Sequence, residues 1–115
     1  MHAVLGADLL ARRWRRAGVD RVYWLTLPEP VLSFITTRVH AVNAAIERTR
    51  AGSIVDTRPR LTPTGRVVAH AETSPGVVER IRSEDGVHLW WPGARLVAAA
   101  VIARMEADGV LAPAP

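Results

Sequence analysis

The sequence predicts an α/β fold, a short parallel sheet flanked by three helices. Three observations lead there. Two stretches of helical period, 7–17 and 33–50, are each followed by a short β-rich run, 21–27 and 53–56. Pro92 then opens an Ala-rich stretch that closes before Gly109, with Pro first and Gly last as a final helix prefers. At 115 residues, 49% of them hydrophobic, the chain suffices for one domain and not for two.

In the first helix Leu10, Trp14 and Ala17 are expected to face inward, with Gly18 as the C-terminal cap. The run Arg21 to Leu27 is apolar at nearly every position and ends at Pro28, the pattern of a strand covered on both faces. Along the second helix Ile35, Val39, Val42 and Ile46 form one stripe, and Gly52 closes it. Ser53-Ile54-Val55-Asp56 reads as a second buried strand that ends on a carboxylate. Open α/β sheets place functional groups there, and an Asp there equally caps the following turn.

The middle is less regular. Leu61 to Gly65 is a turn with Pro63 and Gly65 where a type I turn prefers them. Residues 66–75 read as loop with at most a short edge strand at Val67-Val68, and 77–82 as extended chain. The domain is expected over 1–110, with 111–115 a disordered tail.

Composition excludes several chemistries. Without Cys there is no disulfide framework, thiolate metal site or Cys nucleophile. All 15 basic residues are Arg, against 11 acidic ones, for a formal charge of +4. Phosphate contact alone would not exclude Lys, so the bias reflects GC-rich coding, and no nucleic-acid partner is expected. The longest apolar run, Leu96 to Ala103, falls far short of the roughly 20 residues of a membrane span. The first ten residues lack a basic n-region. No membrane association is expected, and the location as given is cytoplasmic. No cofactor is called for. His70, Glu72, Asp85 and His88 match no zinc spacing, so no metal is expected. His40 reads as a surface or boundary residue.

The chemistry concentrates in Asp85-Gly-Val-His88-Leu-Trp90-Trp91-Pro92-Gly-Ala-Arg95. An Asp three residues before a His lets the carboxylate fold back onto Nδ1, which leaves Nε2 as a general base. The same spacing also suits a solvated turn in front of a helix.

This block, with Pro-Gly-Ala-Arg-Leu opening the last helix, resembles the C-terminal block of the SGNH (GDSL-type) serine hydrolases. Their catalytic Asp and His stand three residues apart just before the final helix. Arg-Val-Tyr-Trp-Leu-Thr-Leu-Pro at 21–28 is similar to a late central strand of bacterial members. Val42-Asn43-Ala44-Ala45-Ile46 resembles the next helix, and 53–56 the strand after it. The resemblance runs through most of residues 5–110. It implies the C-terminal half of a flavodoxin-like three-layer α/β/α fold and hydrolysis of a small ester. In it, Asp85 orients the imidazole and His88 activates a Ser.

The family's Gly-Asp-Ser and Gly-x-Asn-Asp motifs do not occur in the sequence, and Ser33, Ser53, Ser74 and Ser83 stand in other contexts. Asn43 lies in a different block and does not match the oxyanion Asn. A site made of His88 and Asp85 alone would lack the nucleophile and the donors that hold the oxyanion. The chain is thus expected to need an N-terminal half, a partner chain or self-association, and to be inactive alone. The alternative is a non-catalytic remnant or interaction domain from a truncated reading frame. The family usually has Thr or Ser two residues after the His. Here Trp90 stands there, followed by Trp91. These rings either pack on apolar surface or wall an acyl or aryl group.

A half-sheet exposes an edge and an apolar face. The isolated chain is therefore expected to melt over a broad range or to self-associate in sedimentation. A sharp two-state melt from a monodisperse monomer is the opposite outcome.

Overall fold

A computed structural model describes residues 2–30, 33–85 and 88–112, the side chains of 2–5 and 33 excepted. In chain order the elements are α1 (His2–Arg16), β1 (Tyr23–Leu25), α2 (Ser33–Arg48), β2 (Ser53–Val55), α3 (Arg58–Leu61), β3 (His70–Ser74), β4 (Val77–Arg80) and α4 (Trp91–Ala107). The fold is α/β. β1 and β2 form a parallel pair in the register Tyr23–Ser53, Trp24–Ile54, Leu25–Val55. β3 and β4 form a separate antiparallel hairpin turned at Pro75-Gly76, where Gly76 takes a positive φ of 76°.

Side chains extend the parallel pairing beyond its three-residue strands. The Thr26 amide donates to the Val55 carbonyl, and the buried Thr26 hydroxyl donates to Asp56 Oδ1 at 2.9 Å. The Thr57 hydroxyl returns a bond to the Thr26 carbonyl at 2.8 Å. Asn43, buried on α2, grips the main chain of Leu27 at two points. Its Oδ1 accepts from the Leu27 amide at 2.7 Å, and its Nδ2 donates to the Leu27 carbonyl at 2.8 Å. One amide side chain thus does for Leu27 what a neighbouring strand would do.

Helix α4 packs against β2, α3 and the hairpin. Its C-terminal end is tied to the parallel pair. Arg104 Nη1 donates to the Ile54 carbonyl at 3.0 Å, and the Tyr23 hydroxyl donates to Asp108 at 2.8 Å. No helix among the described residues is long and apolar enough to cross a membrane.

Several expectations need correction. β1 is three residues long and half-buried, not a seven-residue strand covered on both faces. Among the described residues β1 pairs with β2 alone, so nothing lengthens it from its other edge. Among the described side chains of α1 only Ala11 is buried, while Leu10 and Trp14 remain 40% and 41% exposed and Ala17, just past the helix, is exposed as well. Leu10 borders a shallow apolar groove between α1 and α2 with Trp24, Val42 and Ile46. Trp14 stacks on Trp24 with centroids 6.0 Å apart.

On α2 the expected stripe holds at Ile46, which is buried, and at Ile35 and Val39, which are half-buried, while Val42 is exposed and Asn43 and Ala45 are buried instead. The stretch read as loop contains β3. Its pattern, alternately exposed and half-buried through His70-Ala-Glu-Thr-Ser74, has too few apolar residues to mark a strand. The helices number four among the described residues, because the single turn α3 starts at Arg58-Pro59, before the expected turn. That turn follows it, with the Gly65 amide on the Thr62 carbonyl. Of the tail, the Leu111 amide bonds the Met105 carbonyl, and 113–115 lie outside the described residues.

Replacing Asn43 by Ala orphans both Leu27 main-chain groups. A loss of about 1–3 kcal/mol is expected, read as a lower urea midpoint. An unchanged midpoint would show that the grip adds nothing.

Candidate active site

The Asp85–His88 segment is the tip of a small hairpin-like excursion between β4 and α4. Its legs are joined by an Arg82–Leu89 bridge, by the Ser83 amide on the His88 carbonyl, and by the Trp90 amide on the Ile81 carbonyl, both at 2.8 Å. The base of the excursion is the most firmly held part. Ile81 is fully buried, and its amide donates to the Ala69 carbonyl beside the hairpin. Gly93, in the first turn of α4, lies so close that a Cβ there would stand 2.3 Å from the Ile81 carbonyl oxygen. Arg82 is 2% exposed and donates from Nη2 to the Glu29 carbonyl at 2.8 Å. Burial lowers its pKa from the ordinary value. This bond fastens the excursion to the segment that follows β1, so the site's base touches both halves of the fold.

Asp85 holds His88 at two points. Its Oδ1 accepts the His88 amide at 3.0 Å, and its Oδ2 lies 2.6 Å from His88 Nδ1. An ionised carboxylate can only accept, so Nδ1 carries the proton. In the neutral ring Nε2 then keeps its lone pair. The His88 side chain is 80% exposed, and that of Asp85 49%. An oriented imidazole open to an incoming group is what a general base requires. Gly86 and Val87, between the two, lie outside the described residues.

Beside the pair opens a cleft of about 490 Å³ lined by Arg80, Ser83, Glu84, Asp85 and Trp90. Trp90 therefore borders the cleft that Asp85 also lines. Trp91 is placed differently: as the first residue of α4 it lies under the Arg95 guanidinium, 4.4 Å from the ring centroid. Arg95 in turn pairs with Glu79 of β4 at 2.8 Å. A second cleft of about 460 Å³, bordered by Pro59, Arg60, Glu72, Ser74 and Leu96, has no His or Asp in its lining.

The other residues singled out in the sequence do not join the site. Among the described residues no group of three or more His, Asp or Glu could hold a metal ion. His40 pairs with Glu29 at 2.9 Å on the surface. Asp56 takes the capping role: its Oδ1 accepts from the Arg58 amide, the Arg58 Nε and the Thr26 hydroxyl. Residue spacing did not single out Arg80, Ser83 and Glu84, which belong to the cleft only because the chain folds back at Asp85. Nor did it find Arg82 as the anchor. The one available signal was a cation set between Ile81 and Ser83 in an otherwise strand-like run.

Two outcomes follow. Gly93→Ala drives a methyl into main chain that no rotamer change relieves. It is expected to cost about 1–3 kcal/mol, the range for overpacking, in urea denaturation. Asp56 is held at about 2, mainly by hydrogen bonding to Arg58. A lowered folded-state pKa stabilises above the ordinary carboxylate range, and the effect is lost as pH falls towards 2. The melting temperatures of wild type and Asp56→Asn should therefore converge between pH 5 and pH 2. Because the carboxylate is partly exposed, the effect is modest.

The sequence matches a family profile described as "Protein of unknown function (DUF459)" over residues 7–104, from within α1 to within α4. No curated protein matches the chain. Since the matched span covers more than half of the 115 residues and contains the whole Asp85–His88 excursion, the chain belongs to the DUF459 family.

Proposed function

We propose that this chain supplies the Asp–His part of a serine acyl-transfer centre that hydrolyses esters, in an SGNH-type arrangement. The observation that carries the reading is the two-point hold of Asp85 on His88, directly before the Pro-opened last helix. The likeness of residues 85–96 to the C-terminal SGNH block supports it. In this reading the chain is the C-terminal half of a flavodoxin-like fold.

The chemistry divides between the halves. His88 Nε2 takes the proton from a Ser hydroxyl as its oxygen attacks the ester carbonyl. Asp85 steadies the imidazolium that forms. Collapse of the tetrahedral intermediate expels the alcohol, which takes the proton back from His88. Water, deprotonated by the same nitrogen, then frees the acid. The Ser and the oxyanion donors come from polypeptide carrying Gly-Asp-Ser and Gly-x-Asn-Asp, since neither motif lies within the 115 residues. The second reading, a non-catalytic interaction domain, draws on that same lack of a nucleophile.

Translating the DNA upstream of the Met1 codon, and identifying chains that copurify, decides where a Gly-Asp-Ser segment resides. With that segment present, 4-nitrophenyl ester hydrolysis is expected to fall by about 10⁶ in His88→Ala and on the order of 10⁴ in Asp85→Asn. Hydrolysis unaffected by His88→Ala rules the catalytic reading out. Absence of such a segment from both sources favours the interaction domain.

A further inference from the structure

The positive charge of the chain is unevenly placed. Helix α1 holds four Arg and one Asp, which leaves 11 Arg against 10 acidic residues for all the rest. Most of the net +4 therefore sits on one helix. GC-rich coding accounts for Arg in place of Lys, but not for where cations stand unpaired. Elsewhere Arg21, Arg58, Arg95 and Arg104 pair with carboxylates. Among the described residues Arg12, Arg13, Arg15 and Arg16 form no ion pair, and Arg12 Nε reaches only the Asp8 carbonyl. The Asp8 carboxylate, the one acid of α1, accepts the Thr49 hydroxyl instead. The helix dipole offers about half a negative charge at the C-terminal end, too little for four cations.

Geometry separates the candidate polyanions. Leu9, Arg12, Arg13 and Arg16 fall at i, i+3, i+4 and i+7, one stripe of the helix, and all four are exposed. The buried Ala11 lies on the opposite side. A nucleic-acid backbone would take the guanidiniums and gain nothing from Leu9, which is 49% exposed among them. Nor is there a fresh platform for a base, since the Trp14 ring is already stacked on Trp24. An anionic lipid surface uses both kinds of side chain. Headgroup phosphates meet the guanidiniums, while Leu9 enters the acyl boundary between the aliphatic Arg stems.

We propose that this face of α1 docks on an anionic lipid surface, with the helix lying in its plane. That no described helix is long and apolar enough to span does not bear on this, because lying on a surface needs no span. The proposal is independent of the hydrolase reading.

Flotation of the full chain with vesicles tests it, since protein that rises with lipid is separated from protein that merely aggregates. Vesicles of phosphatidylcholine with about one-third phosphatidylglycerol are expected to carry the chain upward, and phosphatidylcholine alone not. Salt at about 0.5 M should release it. At about fivefold per Arg, Arg13→Gln/Arg16→Gln should weaken partitioning by roughly tenfold or more. Leu9→Gln should weaken it about threefold. The charge-matched pair Arg60→Gln/Arg66→Gln, outside α1, should leave it within about twofold. All five side chains are exposed, and circular dichroism checks that each variant keeps the fold. Equal flotation with neutral vesicles, none with anionic ones, or equal losses in the two Arg pairs overturns the proposal. Full partitioning in Leu9→Gln overturns it in favour of a bare phosphate backbone. Binding of a duplex oligonucleotide with the same Arg dependence and no Leu9 dependence would identify that partner.

Discussion

The first turn of α4 rests on the main chain of Ile81, and the arrangement of the site depends on that contact. Only a residue without a Cβ can stand where Gly93 does, against the Ile81 carbonyl. The same carbonyl receives the Trp90 amide, and the Ile81 amide reaches back to Ala69 at the hairpin. Helix start, hairpin end and excursion base are therefore one rigid junction. From it α4 runs to the parallel pair, where Arg104 and Asp108 meet Ile54 and Tyr23. The two small sheets share no strand, and α4 packs on both.

Polar groups carry much of the internal order. Among the described residues the buried apolar side chains are few and scattered through α1, α2, β2, α3 and the strand ends. In their place stand directional grips: Asn43 on Leu27, Thr26 and Thr57 on each other, and Arg82 on Glu29. Such bonds add little net stability each, but are costly to leave half-made, so they select one arrangement. The described chain forms a slab of 44 × 42 × 19 Å with a radius of gyration of 15.4 Å. A compact domain of this length would have about 13 Å. The apolar groove between α1 and α2 lies open on this slab.

This economy bears on function. In the reading proposed above, His88 held by Asp85 is half of a catalytic device, and its worth depends on what is brought to Nε2. The junction at Ile81 sets the excursion's base independently of that second half. The grip of Arg82 on the Glu29 carbonyl also couples the excursion to the end of β1, so a shift at that strand would reach His88 through few bonds.

Local signals in the sequence determined the order of α1, β1, α2, β2 and α4. Helical period, Pro at the start of α4 and Gly after α1 and α4 act within a turn or two of chain and need no partner. The Asp85–His88 contact was legible for the same reason, since three residues of spacing bring carboxylate and imidazole together. Only the tertiary structure decided what faces inward. Ala11 is buried where the larger Leu10 and Trp14 are not, so hydrophobicity alone did not select the inward residue. β3 escaped notice because a hairpin packed on one side needs no apolar alternation of its own, only a partner strand and a helix to lean on. Arg82 and Gly93 owe their roles to neighbours more than ten residues away. No periodicity records such contacts, because they exist only once the chain has closed on itself.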